Sequence, residues 1–472
     1  MKKKTSSIFF MLLIIASKII ATNTCSLETY WELLKKHPHT KKIKYQILLE
    51  EETSNKEKEI TDWTFEIQPS SSYEKPIGES IFSAKERNIN SLNISRRRKI
   101  WATGGNISLN AGLSYTKQTL DKLEINNEEI TLGKEKEVKN KISINYEHPL
   151  LRNKHGIQDK VSYLNQKLNE QIMKLQLKEQ QEKFKLKKTM DFIDWVTYYE
   201  LKQINEERIK IAKEQLNIVK ERLQNNLTEK IDLLVAEDQL RIALQNNEKN
   251  NGHYRSKKTY INKILQNKDF KEKDPEFDFY NYKKIKKEKN ILRIQKEYEY
   301  AKEQITEKIK SKQNDILPEL SINLSGGTQS NNSEIKNIII PNKPHIKGYI
   351  LYKKAEKNSR KKQEEKILKV KMEVIKNSYK EKIIESEAKR EELLSKIDSI
   401  IKIIEINKDH IHSTEKRYLE EINRYKKGDG ELQLVIQAKD NQENAKLMLI
   451  ENLYLYHQNY FRYLEESDLL EI

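Results

Sequence analysis

Apolar positions along this chain repeat with two different periods. Between Gly156 and about Asn225 they keep a three-four spacing through Val161, Leu164, Leu168, Ile172 and Leu175, and Ile204, Ile211 and Ile218 then recur every seven residues. Between Ala355 and Lys427 the same register runs through Leu393, Ile397, Ile400, Ile404, Ile411, Tyr418, Ile422 and Tyr425. This spacing predicts two long helices with coiled-coil packing, 156–225 and 355–427. Each is followed by a turn, "QNNLTEK" or "KGDGE", and then by a shorter helix, 231–265 or 431–464. Two further short helices are predicted at 27–60 and 284–313. A helix of about 70 residues spans about 105 Å, so two short helices end to end match one long one.

The second period is two. "WTFEIQPSSSY" (63–73), "NISLNAGLSY" (106–115), "NKISINYEHPLL" (140–151), "ELSINLSGG" (319–327) and "HIKGYILY" (345–352) alternate as strands do. They define two strand regions, about 63–151 and about 317–352. "NINSLNISRRRKIW" (88–101) can pair with 106–115, which gives four strands before the first long helix and two before the second. Ten-residue strands with unlike faces are what a transmembrane β-barrel requires. Trp63 and Trp101 would then mark one membrane interface, and Tyr73 and Tyr115 the other. Aromatic residues are also common in strands generally.

The order of elements occurs twice. At a constant offset of 202 residues, Arg222, Ala236, Asp238, Ala243 and Tyr254 meet Arg424, Ala438, Asp440, Ala445 and Tyr456. The expected organisation is a first repeat over 22–265, a linker over 266–283 and a second repeat over 284–472. The fold class is mainly α with a β-barrel part, built on long helical hairpins.

Composition changes this picture little. Glycine (12) and proline (8) are scarce and 34% of residues are charged, as in long helices with few turns. The net charge of +17 raises nucleic acid as a partner, but acidic and basic residues interleave along the helices, which is the pattern of solvated faces. No nucleic-acid partner is expected. Residues 1–21 have a basic start, an apolar stretch and a small residue at Ala21, and read as a secretory signal peptide. Cys25, the single cysteine, lies where a lipid could be attached. The preceding "ATNT" lacks the aliphatic-then-small pattern of such sites.

No catalytic constellation emerges. The nine histidines include no helical H-x-x-x-H pair, and there is no glycine-rich phosphate loop. His410 and His412, two apart on a helix, point away from each other. Neither a cofactor nor a metal site is expected, and the chain does not read as an enzyme.

Over nearly all of the mature sequence, the chain resembles the TolC family of outer-membrane efflux channels. "ATGGNISLNAGLSY" followed by "ISINYEHPLLRNKHG" is similar to the glycine-rich turn, strand and strand exit of one subgroup. "RLQNNLTEKIDLLVAEDQL" and "RYKKGDGELQLVIQAKDNQ" resemble the two turns between long and short helices, and "LKKHPHTKK" resembles an early break in the first helix. Departures are Asn226 where glycine is usual, a second strand exit without Pro and Gly, and Leu434 and Gln437 where some relatives carry pore aspartates. The resemblance therefore does not extend to an acidic ring from the second repeat.

What the resemblance implies is a homotrimer. Its barrel would sit among outer-membrane lipid, and its trimeric α-barrel tunnel would cross the periplasm. An inner-membrane transporter and a periplasmic adaptor would be its partners, in efflux or type I secretion. The hairpin tips would be Asn225 and Asn226 in one repeat and Gly428 and Gly430 in the other. Asp232 and Tyr425 match an aspartate and a tyrosine that hold the periplasmic aperture closed in related channels. Gly430 replaces an arginine that reinforces that link, which implies a weaker closure. The residues alone leave an exported coiled-coil stalk or adhesin open. A periplasmic adaptor would carry one helical hairpin flanked by β-domains, whereas two hairpins are predicted here.

Overall fold

The computed structural model describes residues 24–76, 84–120, 122–125, 128–131, 133–265, 273–287, 292–333, 341–355 and 357–470. The predicted signal peptide, 1–21, lies outside them. The chain forms two compact units. A sheet-bearing unit takes Ile47–Lys174 and Glu297–Tyr379; a helical unit takes residues up to Gln46, Leu175–Lys296, and those from Lys380 onward.

In the sheet-bearing unit six strands form one antiparallel sheet. They are β2 (Thr64–Glu74), β3 (Glu86–Ile100), β4 (Gly105–Thr119), β7 (Lys136–Pro149), β9 (Glu319–Asn332) and β10 (Lys343–Lys353). Their order is β10-β9-β7-β4-β3-β2. Residues 86–100 thus form a strand paired on both sides, to β2 and to β4. The stretch between β4 and β7 carries a small antiparallel pair, β5 (Lys122–Ile125) and β6 (Glu128–Thr131).

The turn from β3 to β4 is locked onto the exit from β7. Gly104 (φ +74°) comes so close to Asn153 that a Cβ there would sit 2.1 Å from its carbonyl oxygen. Asn153, itself left-handed at φ 62°, donates its backbone N–H to Asn314 Oδ1 (2.7 Å) and its side-chain amide to Asp159 (2.7 Å). Its Oδ1 accepts the backbone N–H of Gln158 (3.0 Å), capping the helix that starts beside it. The "ATGG" and "LLRNKHG" stretches thus form one packed corner of the sheet.

The long helices are α3 (Ile157–Gln224) and α6 (Ser359–Lys427); the shorter ones after their turns are α4 (Lys230–Leu265) and α7 (Leu432–Glu466). The core of the helical unit is aromatic, with Tyr30, Phe192, Trp195, Phe279 and Tyr463 almost wholly buried. Each such side chain stabilises the fold by roughly 1.5–3 kcal/mol through removal from water. The duplicated positions Ala236, Ala243, Tyr254, Ala438, Ala445 and Tyr456 are all buried. The repeat is therefore written in packing contacts.

Three boundaries differ from the sequence reading. The predicted helix 27–60 is two helices, α1 (Leu27–Leu34) and α2 (Pro38–Lys56), followed by a 3-10 turn, Glu57–Thr61. Pro38 lacks an N–H to continue α1 but suits the first turn of α2. The predicted helix 284–313 begins later, as α5 (Arg293–Ile316). Its start is fixed by the far end of the chain, because the backbone N–H of Arg293 donates to Asp468 Oδ2 (2.6 Å). Finally, the linker 266–283 contains a strand, β8 (Asp274–Glu276), parallel to β1 (Thr24–Ser26). Three residues are too few to show a period.

Candidate functional site

The register of the six strands sorts side chains into two unlike faces. Phe65, Arg96, Leu109, Ile144, Gly326 and Ile346 stand in one row across the sheet. The next row reads Glu66, Ser95, Asn110, Ser143, Gly327 and His345. Then come Ile67, Ile94, Ala111, Ile142, Thr328 and Pro344, and after them Gln68, Asn93, Gly112, Lys141, Gln329 and Lys343. Since successive side chains leave opposite faces, rows of one parity make an apolar face and rows of the other a polar one. The polar face is knitted by hydrogen bonds such as Ser325 to Asn145 (2.6 Å) and Asn145 to Ser108 (3.3 Å). It forms a groove lined by Arg97, Lys139 and Lys141 with the acid Glu66.

The apolar face is uncovered within the chain. Ile67 is 55% exposed, Ile350 69% and Ile346 91%, and Phe65, Ile142, Ile144 and Leu324 are exposed too. A soluble monomer rarely leaves so wide an apolar patch in water.

The four candidate interface aromatics fall at the two ends of this sheet. Trp63 precedes Thr64, which pairs with Arg97, and Trp101 lies in the turn after β3, so both sit at one end. Tyr73 pairs with Asn88, and Tyr115 with Asn90, near the other. The two tryptophans are not alike. Trp63 lies under the Arg96 and Arg98 guanidiniums (4.9 and 6.0 Å) on the apolar side, whereas Trp101 packs on Tyr163 of α3 (5.1 Å). Arg96 and Arg98, awkward on an apolar face, are thus gathered at its end against an aromatic ring.

In the helical unit the two turns share one backbone design. Asn226 (φ 52°) and Gly428 (φ +93°), at equivalent positions of the repeat, both end a long helix in the left-handed conformation. Leu227 N–H reaches back to Arg222 O (2.8 Å) and Asp429 N–H to Arg424 O (3.1 Å), the same capping bond. Asparagine substitutes for glycine because it tolerates this conformation. Asn225 and Asn226 are exposed, as is Gly428. Gly430 has ordinary dihedrals, but a Cβ there would lie 2.8 Å from Tyr425 N. No arginine fits at that position.

Asp232 and Tyr425 are brought together through a third residue. Thr228 hydroxyl contacts the Asp232 carboxylate and lies 3.4 Å from the Tyr425 hydroxyl. As the carboxylate can only accept, Thr228 donates to it and receives the tyrosine O–H. Tyr425 is 2% exposed, packed with Val219, Ile422 and Val435. Sequence reasoning missed Arg222: its guanidinium lies 4.2 Å from the Tyr425 ring centre and donates to the Tyr425 and Leu227 carbonyls. Its place among the duplicated positions was the available signal. Leu227, Ile231 and Leu234 are exposed beside this cluster.

Cys25 is fully buried in β1, within the aromatic core, and burial pushes its thiol up to about 12. Among the described residues no helix is long and apolar enough to cross a membrane.

No protein-family model and no curated protein matches the sequence. Solved structures do match. The CusC structures, which concern folding and transmembrane channel formation, share 11% identity at a TM-score of 0.63, covering 95% of this chain and 93% of that one. The Campylobacter jejuni outer-membrane channel CmeC shares 14% at 0.61, covering 94% and 86%. The open state of the Neisseria gonorrhoeae outer-membrane channel MtrE shares 10% at 0.63, covering 94% and 89%. The chain has the TolC-like fold of these channels.

Proposed function

We propose that this chain is an outer-membrane channel of the TolC type, a passive exit duct that serves an efflux or type I secretion system. The observation that carries the reading is the six-stranded sheet with one hydrogen-bonded polar face and one uncovered apolar face. Lipid covers such an apolar face, and water fills the space beside the polar one. The sheet lies in the outer membrane and the helices cross the periplasm. Three copies assemble, and the exposed Leu227, Ile231 and Leu234 at one tip suit a periplasmic adaptor that joins the duct to an inner-membrane transporter.

At the same tips, Asp232, Thr228 and Tyr425 hold the aperture closed, and Arg222 supplies from the first long helix the cation that Gly430 excludes from the second turn.

Neighbouring residues of β2 provide the test. Ile67 and Gln68 are both exposed in the single chain but belong to opposite faces. A lysine on a lipid face costs about 2–4 kcal/mol at mid-membrane. Ile67→Lys should therefore reduce the amount of protein recovered by detergent from the outer membrane several-fold, while Gln68→Lys should leave it near wild type. Equal behaviour of the two, or recovery of wild type as a soluble periplasmic monomer, refutes the reading.

A further inference from the structure

Two cations stand on the apolar face of the sheet, and no acid answers them. Arg96 and Arg98 leave β3 on the same side. The neighbouring strands put Leu109 and Ile144 in the row of Arg96, and Ile107 and Tyr146 in the row of Arg98. Among the described residues of the six strands, the other charges of this parity are Glu86, Lys117 and Lys136, all at the far end. Arg97, between the two, points to the polar face and pairs with Glu66 (3.4 Å).

The pair is positioned but not satisfied. Arg98 Nε donates to the Thr61 carbonyl (2.8 Å), and its guanidinium lies 6.0 Å from the Trp63 ring centre. The Arg96 guanidinium lies 4.9 Å from the same ring centre. One ring thus gathers both cations. A guanidinium has five N–H donors; among the described residues Arg98 commits one of its own and Arg96 none. Two like charges this close repel each other, and more strongly where the surroundings exclude water. An anion between them would remove that cost.

Their height on the sheet says which anion. At about 3.4 Å per residue, Arg96 lies about 14 Å and Arg98 about 7 Å from the end of β3. That is the end at which the chain enters the sheet at Thr64 and leaves it at Pro149. Tryptophan rings favour the headgroup level of a membrane. Beyond Arg96 the face turns apolar again with Ile67, Ile94 and Ile142, where acyl chains belong. A lipid phosphate brings apolar tails to these side chains; a free phosphate would leave them bare.

Resting on the outer-membrane reading above, we propose that Arg96, Arg98 and Trp63 form a clamp for the phosphate of an anionic phospholipid, in the leaflet nearer the helices. The planar forks of the two guanidiniums donate to the phosphate oxygens, a geometry that arginine suits and lysine does not. A zwitterionic headgroup would carry its own cation towards the same pair, so the clamp favours lipids with net negative charge. The bound headgroup fixes the depth at which this end of the sheet sits.

The experiment uses the full-length protein extracted in detergent, with tryptophan fluorescence as readout. Phosphatidylglycerol and phosphatidylcholine, each brominated on the acyl chains, are titrated into the micelles. Quenching should reach its midpoint at a several-fold lower mole fraction of phosphatidylglycerol, and Trp63→Phe should remove that difference. The double variant Arg96→Gln/Arg98→Gln should quench equally with both lipids, Arg96→Lys/Arg98→Lys should fall between, and Arg97→Gln should keep the wild-type preference. Inorganic phosphate should displace phosphatidylglycerol no better than sodium chloride of equal ionic strength. Equal quenching of the wild type by the two lipids overturns the clamp and leaves the channel reading standing. Equal loss in Arg97→Gln and in the double variant overturns it too, as does specific displacement by phosphate, which would mark a free-anion site. Recovery of the wild type as a soluble monomer without detergent overturns both.

Discussion

Tyr425 carries two roles on one side chain, and they can be separated. Its ring is held by packing and by Arg222, and its hydroxyl by Thr228. Tyr425→Phe keeps the first and removes the second. A hydrogen bond between two neutral hydroxyls contributes about 0.5–1.5 kcal/mol, enough to shift a closed-to-open equilibrium about two- to tenfold. In planar bilayers, Asp232→Ala and Tyr425→Phe should each raise conductance, and the double variant should add little, since both act through Thr228. Unchanged conductance in all three would leave the cluster a purely structural cap. The resemblance pointed to Asp232 and Tyr425, which the structure joins through Thr228. Thr228 was not singled out and Arg222 entered only as a duplicated position, because their contacts with Tyr425 span about 200 residues.

A second residue makes the helical unit sensitive to acid. His457 is buried among Phe277, Phe279 and Tyr456, and its Nε2–H donates to Phe279 O (2.8 Å). Burial lowers its pKa to about 4, so the fold holds it neutral. The stabilisation is complete above the usual histidine value near 6.5 and drains as pH falls towards 4, by roughly 3 kcal/mol. Limited proteolysis of the 277–283 segment should accelerate between pH 6.5 and 4.5. In His457→Gln, which cannot take up a proton, the rate should respond much less to pH. An equal response in both would place the acid sensitivity elsewhere.

At the scale of elements, the helices and strands were legible because each carries its period over many residues. The start of α5 and strand β8 were not: one depends on Asp468, and the other is three residues long. The turns were legible as equivalent turns of the two repeats, and the dihedrals of Asn226 and Gly428 add that they share one backbone conformation. The tip of the second repeat depends on Gly430 through crowding, not through dihedral freedom. Gly430→Ala should therefore open the turn, raising hydrogen exchange over 424–432, whereas Gly252→Ala, where an added methyl meets nothing within 4 Å, should not. A helix-interior Gly→Ala even favours the helix by about 1 kcal/mol. Similar exchange in both variants would mean that the turn relaxes around the methyl.

At the scale of the whole molecule, the sheet and the helices change by different rules. The chain enters the sheet at Thr64 and leaves it at Pro149 by the same end, with the β3–β4 turn packed beside that exit. A segment can leave and return only in pairs of strands. Heritable variation at this locus is therefore quantised: a whole hairpin can be acquired or shed between the same two helices, and a lone strand cannot. Each such event changes the sheet by two strands and leaves the flanking helices in register. On the proposed channel reading, chains that differ by one hairpin would differ in bore and keep the same helices.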